Sequence, residues 1–342
     1  MKYNLLGNTG VLVSEIALGT MTFGGGEGWG AFGALDQREA GRLVDMALDA
    51  GVNLFDTADA YANGRAEELL GQALKPKRHQ AIIATKVRAR TGPGANDIGL
   101  SRLHILRQVD QSLKRLGTDY IDLYQVHNPD QLTDWEETLR ALDDLVRSGK
   151  VRYIGCSNLP AWQIMKSRSI SETRGLHAFK SNQAYYSLAA RDIEREIVPA
   201  LLDQNMGLIV WSPLAGGYLS GKYAADRNPD TDRRHNKVAF PPVDQEKASP
   251  VLEALRGIAE SRGTTMAKIA IAWLLHQRAV TSVIVGAKRP EQLHENLEAG
   301  DIELTRHELH LLDEASRLPI EYPGWPFLES NESVVRKHPR VR

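Results

Sequence analysis

Short apolar runs alternate along the chain with longer stretches whose apolar residues recur at helical spacing. Tyr3 to Val13 opens as a hairpin, two apolar runs around the turn Gly7-Asn8-Thr9-Gly10. Ile16–Gly19 reads as a strand. Gln37 to Ala50 reads as a helix carrying Leu43, Val44, Met46, Ala47 and Leu48 and stopped by Gly51. The unit then repeats. Strand Asn53–Asp56 precedes helix Ala66–Leu74, closed by Lys75-Pro76, and strand Ala81–Lys86 precedes helix Ser101–Leu116, with Ser101 as N-cap and Gly117 as the stop. Strand Ile121–His127 precedes helix Asp134–Ser148, Val151–Ser157 precedes Pro160–Arg168, and Phe179–Gln183 precedes Arg191–Gln204. Strand Leu208–Trp211 leads into a long loop from Ser212 to about Glu246 and a helical stretch Val251–Gln277, before strand Val283–Val285 and helix Pro290–Ala299.

About eight strand–helix units, spaced by roughly 40 residues, predict a parallel sheet covered by helices on both faces, and eight units close naturally into a barrel. The expected fold class is α/β: a (β/α)8 TIM barrel with an N-terminal β-hairpin and long loops on its C-terminal face. A single domain is expected over residues 1–342. The barrel takes about 3–318, and an irregular segment 319–342, marked by Pro319, Pro323, Pro326 and Pro339, lies over one barrel face.

Composition narrows the classes. The 342 residues suit one such barrel with insertions, and 42% hydrophobic with 25% charged residues are ordinary globular values. A formal net charge of −1 gives no electrostatic case for nucleic acid or an anionic membrane surface. The single cysteine, Cys156, excludes an intrachain disulfide and a Cys-rich metal site and fits a reducing compartment. No apolar run approaches the roughly 20 residues of a membrane span, and Met1-Lys2-Tyr3-Asn4 leads into folded-looking sequence rather than a signal segment. The expectation is a cytoplasmic protein with a small-molecule partner, neither nucleic-acid- nor membrane-bound, with its oligomeric state open.

Three successive strands end in Asp56, Lys86 and His127, and Tyr61 lies just after the first. In a parallel barrel these ends share one rim, where barrel enzymes carry their chemistry. Taken singly, each residue also fits a structural role; their joint placement favours chemistry. Reducing a carbonyl needs a hydride donor and a proton donor. A Tyr hydroxyl, with an ordinary pKa of about 10, becomes a better acid beside an ammonium such as Lys86. Asp56 would keep Lys86 protonated and aimed, and His127 would hydrogen-bond the substrate oxygen.

At these residues the chain resembles the aldo-keto reductases, NADPH-dependent (β/α)8 barrels with an Asp-Tyr-Lys-His tetrad. Asn53-Leu54-Phe55-Asp56-Thr57-Ala58-Asp59-Ala60-Tyr61 is similar to the family's first motif, Ala84-Thr85-Lys86 to its lysine motif, and Gly117 to His127 to its histidine motif. The resemblance makes Tyr61 the acid and covers about residues 3–318. Through Val146 to Asn158 and Trp211 to Gly217 the chain looks most like the bacterial branch related to the potassium-channel β subunits.

Two glycine motifs are decoys. Gly28 to Gly33 spells G-x-G-x-x-G but neither abuts a strand nor opens the next helix, and Gly216 to Lys222 spells G-x-x-x-x-G-K with Tyr223 where magnesium needs Ser or Thr. A better anion site is Gly286-Ala287-Lys288-Arg289-Pro290, where a strand ends in Gly, two cations follow and Pro290 opens a helix. A cationic surface turn is the alternative there. The resemblance makes it the adenosine 2′-phosphate site, with Ala287, Lys288, Gln292 and Asn296 at contact positions and Gly286, Arg289 and Glu295 beside them. Where many relatives carry Lys and Arg this chain has Gly286 and Gln292, leaving Lys288 and Arg289 to supply the charge. The resemblance further brings Ser157, Asn158 and Gln183 to the nicotinamide amide and Trp211 to its ring. Ser212, Leu214, Gly216, Ser220 and Lys222 would wrap the pyrophosphate, and Gly19, Thr20, Met21 and Asp56 would also line the cofactor. NADPH is the expected cofactor, with NADH weaker, and no metal is required.

The expected activity is reduction of an aldehyde or ketone, with a hydride from nicotinamide C4 and a proton from Tyr61. A nucleotide-sensing module of the channel-subunit type, slow in turnover, is the alternative. A metal-dependent hydrolase would need clustered His and carboxylates, and only His127 stands at the strand ends. Specificity falls to the loops Met21 to Gly33, Thr91 to Gly99 and Tyr218 to Pro242 and the segment Tyr322 to Phe327. Phe23, Trp29, Tyr61 and His127 are the expected pocket residues, and Phe23, Trp29, Phe32 and Trp325 suggest an apolar, aromatic-accepting pocket.

Overall fold

The computed structural model describes residues 1–26, 28–221, 238 and 240–322. Eight parallel strands form a closed barrel: β3 (Ile16–Gly19), β4 (Leu54–Asp56), β5 (Ile82–Val87), β6 (Ile121–Val126), β7 (Val151–Ser157), β8 (Ser181–Tyr185), β9 (Gly207–Trp211) and β10 (Val280–Val285). Each pairs with the next, and β10 closes on β3, with Val285 opposite Leu18. This is the expected (β/α)8 TIM barrel.

Strand alternation sorts the side chains. Ala17, Leu54, Ala84, Leu123, Ile209 and Ile284 fill the barrel interior, while Ile16, Leu18, Phe55, Ile83, Tyr124 and Val126 belong to the larger core against the helices. The hairpin, β1 (Tyr3–Leu5) and β2 (Leu12–Ser14), stoppers the N-terminal end by adding Leu6 and Val13 to the interior cluster. Its turn needs Gly7, because a Cβ there would lie 2.3 Å from the Lys180 carbonyl. Asn53 ties it on, its Oδ1 accepting from Ser14 N at 2.7 Å.

Local sequence signals set the helix ends. Asp36 forms a capping box with Glu39 on α1 (Gln37–Asp49), and α2 (Arg65–Leu74) follows β4. Ser101 caps α3 (Arg102–Leu116), which stops at Gly117 with φ 62°, and Asp134 caps α4 (Trp135–Arg147).

Several boundaries depart from the periodicity. α5 (Ala161–Arg174) continues past Arg168 through a turn in which Arg168 Nε donates to Glu172 Oε1 at 2.6 Å and Thr173 Oγ1 to the Ser169 carbonyl at 2.7 Å. The stretch expected as one helix over Arg191–Gln204 is a single 3₁₀ turn, Asp192–Glu194, followed by α6 (Ile197–Asp203). Pro199 explains the break, since it lacks an N–H and its ring opposes the carbonyl four residues earlier. The stretch Val251–Gln277 is two helices, α7 (Gln245–Arg262) and α8 (Met266–Leu275), parted by Gly263 at φ 60°. The strand expected at Phe179–Gln183 is shifted to Ser181–Tyr185. α9 (Pro290–Leu297) is followed by an unanticipated α10 (Arg306–Ala315), opened by a Thr305–Glu308 capping box. Among the described residues no helix is long and apolar enough to cross a membrane.

Candidate active site

The ends of β4, β5 and β6 assemble one cluster at the barrel's C-terminal mouth. Lys86 is fully buried, and its three ammonium hydrogens have three acceptors: Asp56 Oδ1 at 2.6 Å, the Thr57 carbonyl at 2.8 Å and the Tyr61 hydroxyl at 3.4 Å. Asp56 Oδ2 accepts from Gln183 Nε2 at 2.7 Å and from Gln125 Nε2 at 3.4 Å. His127 follows β6, its N–H donating to the Val87 carbonyl at 2.9 Å. Its ring meets the Tyr61 ring edge-on, with centroids 5.9 Å apart, while Trp29 lies 5.6 Å from Tyr61. The four side chains expected at one rim are thus together, under Trp29.

Tyr61 is held by a left-handed turn: Ala62 has φ 48°, Asn63 φ 54° and Gly64 φ 89°. Such a conformation costs about 1–2 kcal/mol per non-glycine residue. Gly64 is favoured there because φ 89° strains any residue with a side chain, and a Cβ would also lie 2.7 Å from Arg115 Cδ. Glu67, fully buried on α2, locks the turn against the barrel, accepting from Thr85 Oγ1 and Arg115 Nε, each at 2.6 Å. Thr85 is the neighbour of Lys86 on β5, so the same strand carries both the anchor and the ammonium.

The electrostatics correct one sequence-based expectation. Burial raises the pKa of Tyr61 above its ordinary value; the Lys86 charge opposes this but does not overcome it. Lys86 is also raised, because the charges of Asp56 and Tyr61 outweigh its burial. Burial, with the charges of Lys86 and Arg88, lowers His127 to about 3. At neutral pH the cluster therefore holds a phenol, an ammonium and a neutral imidazole. This set can donate a proton and hydrogen-bond a developing oxyanion.

Beside it stands a second polar network. Ser157 Oγ donates to the Gln183 carbonyl at 2.9 Å, and Asn158 Nδ2 donates to the His127 carbonyl at 3.0 Å and Ser157 Oγ at 3.1 Å. Trp211 Nε1 donates to Asn158 Oδ1 at 3.0 Å. The Trp211 ring is stacked by Tyr185 at 5.0 Å and Phe240 at 5.6 Å. Thr20 is buried, donates its N–H to the Asp56 carbonyl at 2.9 Å, and has an Oγ1 with no hydrogen-bond partner among the described residues. Gly19 is explained by packing, since a Cβ would lie 2.6 Å from Ile284 Cγ2. Met21 is half-buried on the loop that follows.

After β9, Ser212 takes φ 54° and its Oγ accepts from Gly216 N at 3.0 Å; Leu214 closes the next turn onto Gly217 N at 2.9 Å, and Ser220 Oγ donates to the Gly217 carbonyl at 2.6 Å. Lys222 and Trp325 lie outside the described residues. After β10, Thr22 Oγ1 donates to the Ala287 carbonyl at 2.9 Å, Lys288 Nζ to the Ala31 carbonyl at 3.3 Å, and Lys288 N to Gln292 Oε1 at 2.9 Å. Arg289 is the N-cap of α9 without a side-chain capping bond, and Pro290 opens the helix beside two cations, Lys288 and Arg289. Gly286 leaves open space there, Asn296 is buried and Glu295 half-buried. The donor set fits a nicotinamide dinucleotide at both ends, amide and hydroxyl groups at one and a cationic helix start at the other.

Phe23 does not join the pocket as expected. It is fully buried in the main core and bridges to Leu35, so its ring is packing rather than lining. The sequence reading missed Gln125, although a polar residue two positions before His127 on an apolar strand was a usable signal. It also missed Asp59, buried with its pKa raised well above the ordinary value by burial and by Glu67.

The Aldo/keto reductase family model matches residues 15–317. The chain is 36% identical to the versiconal hemiacetal acetate reductase of Aspergillus parasiticus, over 95% of this chain and 99% of that protein. It is 36% identical to the uncharacterized oxidoreductase YrpG of Bacillus subtilis (strain 168), over 92% of this chain and 95% of that protein. A probable voltage-gated potassium channel subunit beta of Arabidopsis thaliana is 39% identical, over 88% of this chain and 92% of that protein.

Proposed function

The chain belongs to the aldo/keto reductase family and is an NAD(P)H-dependent oxidoreductase acting on small carbonyl compounds, and from that premise we propose that it reduces aldehydes or ketones with NADPH, using Tyr61 as the proton donor. The observation that carries this reading is the Lys86 ammonium, saturated by Asp56, Thr57 and the Tyr61 hydroxyl. A buried phenol is a reluctant acid, but an ammonium at 3.4 Å stabilises the phenolate left after proton transfer. Neutral His127 donates a hydrogen bond to the substrate oxygen and orients it without taking part in proton exchange.

Ser157, Asn158 and Gln183 would hold the cofactor's amide, with Trp211 against its ring. Gly19, Thr20 and Met21 would line its path, Ser212, Leu214, Gly216, Ser220 and Lys222 the pyrophosphate, and Gly286, Ala287, Lys288, Arg289, Gln292, Glu295 and Asn296 the adenosine end. The bound nicotinamide supplies the hydride. Trp29 walls the substrate side beside Tyr61 and His127. One barrel domain does this work, and a single cysteine, buried Cys156, suits the cytoplasm.

NADPH oxidation with a reactive aromatic aldehyde tests the reading, wild type beside Tyr61→Phe. Loss of the proton donor should lower kcat by about 10²- to 10⁴-fold with NADPH affinity retained. Equal turnover by the two proteins would remove Tyr61 from the role. Similarity to the channel subunit favours a second reading, a nucleotide sensor with slow turnover. Tight NADPH binding without multiple turnovers over a carbonyl panel would select it.

A further inference from the structure

Arg88 stands two residues beyond Lys86 with φ 133°, a backbone region that side-chain-bearing residues rarely enter. Keeping it there is unfavourable unless the surrounding structure holds it. Two hydrogen bonds bracket it: the Val87 carbonyl accepts from His127 N at 2.9 Å, and the Arg88 carbonyl accepts from Gly99 N at 3.0 Å. Arg88 therefore shares the rim with His127. Arg88 lies one residue past the end of β5, after Lys86, which points into the mouth, and its charge acts on His127 across that rim.

The side chain is half-buried, and its buried Nε has no hydrogen-bond partner among the described residues. No side-chain hydrogen bond or ion pair joins Arg88 to another described residue. Its charge is felt at His127 and Asp130. Asp130 is already committed, accepting from Leu100 N at 2.7 Å, Leu132 N at 3.0 Å and Thr133 Oγ1 at 2.7 Å. Partly desolvating an unpaired guanidinium is unfavourable, and so is its backbone. Neither cost is offset by a contact that the barrel or the Asp56–Tyr61–Lys86–His127 cluster uses. A planar cation with free donors is matched by a carboxylate, which it binds through two parallel hydrogen bonds.

We propose that Arg88 is a specificity-determining residue that selects carbonyl substrates bearing a carboxylate, binding that group while the carbonyl lies at Tyr61 and His127. This rests on the carbonyl-reductase reading and deepens it. The same chemistry could serve a cofactor phosphate, so both anions are tested.

The experiment compares benzaldehyde with para-carboxybenzaldehyde for wild type, Arg88→Gln and Arg88→Lys, with NADPH Kd measured on each protein and folding checked by circular dichroism. Arg88→Gln should lose roughly 10- to 100-fold more kcat/KM on the carboxylated aldehyde than on the neutral one, mainly through KM, and Arg88→Lys should recover part of it. Equal losses on the two aldehydes, or a loss explained by a weaker NADPH Kd, would overturn the proposal. If neither aldehyde is turned over, the reductase reading fails separately. Calorimetric titration of para-(hydroxymethyl)benzoate into the NADPH complex then decides, with binding to wild type that Arg88→Gln abolishes supporting the anion site and identical isotherms refuting it.

Discussion

Gln183, which follows Asp56 by 127 positions, donates its side-chain amide to Asp56 Oδ2 at 2.7 Å and so fixes the carboxylate that faces Lys86. The bond joins the two polar networks at the mouth, because the Gln183 backbone carbonyl also receives Ser157 Oγ. Gln183→Leu would leave Oδ2 with the 3.4 Å contact to Gln125. A hydrogen bond to a charged group contributes about 1.5–3 kcal/mol, so kcat should fall roughly 10- to 100-fold. Gln183→Glu would set a second carboxyl against Asp56, and two carboxyls in contact cannot both ionise. Its pH–rate profile should gain a new limb that wild type lacks; superimposable profiles would count against the coupling.

The acid side of the stability curve should report His127. Its folded pKa of about 3 lies below the value of about 6.5 for an unfolded chain. As pH falls, the unfolded state takes up this proton first, so the stabilisation is complete above about pH 6.5 and is lost between there and about pH 3. Urea midpoints from pH 7 to 4 should drop less steeply for His127→Gln than for wild type. Parallel slopes would mean that His127 is not held neutral.

Much of the barrel was legible because most of its strands are apolar runs stopped by a polar or glycine residue; β8, Ser181-Asn182-Gln183-Ala184-Tyr185, is not, and its bounds were misplaced. Asp56, Lys86 and His127 reached one rim by parallel topology alone, which sequence order already implies. The Gln183–Asp56 bond was not legible, because barrel closure sets which distant strand ends oppose one another. The upward shift of Tyr61 was hidden for a related reason: a neighbouring Lys can be read from sequence, but the depth of burial that outweighs it cannot. Phe23 and Trp29 look alike in a loop sequence, yet one is core and the other lies over Tyr61. α10 escaped notice because Leu309 and Leu312 are sparse among charged residues. Pro199 was a readable break in the stretch taken as one helix.

Glu67 should be a stability residue with a catalytic echo. Its carboxylate is fully buried, and Arg115 and Thr85 are its partners. Arg115→Ala leaves that charge uncompensated, and breaking a buried pair costs about 3–5 kcal/mol. Chemical denaturation should show a loss of that order. Because Arg115 Cδ also packs under Gly64 in the turn that follows Tyr61, kcat should fall at temperatures where the variant is still folded. A stability loss with unchanged kcat would separate the anchor from the turn.

Cofactor choice should rest on the start of α9. No side chain caps this helix, and Lys288 and Arg289 flank its first turn. Lys288 has its backbone N–H on Gln292 and its ammonium 3.3 Å from the Ala31 carbonyl, a contact that a 2′-phosphate would outcompete through charge. Arg289 at the N-cap has an extended backbone that leaves its side chain outside the helix. NADH lacks the phosphate, so only NADPH gains from either cation. Charge-assisted hydrogen bonds of about 1.5–3 kcal/mol correspond to roughly 10- to 100-fold in affinity. Lys288→Ala and Arg289→Ala should therefore each lower kcat/KM for NADPH by that order, through KM, while kcat/KM for NADH changes little. The double variant should bring the two cofactors close to parity. Equal losses with both cofactors would place the two cations in the fold of the helix start rather than in recognition of the phosphate.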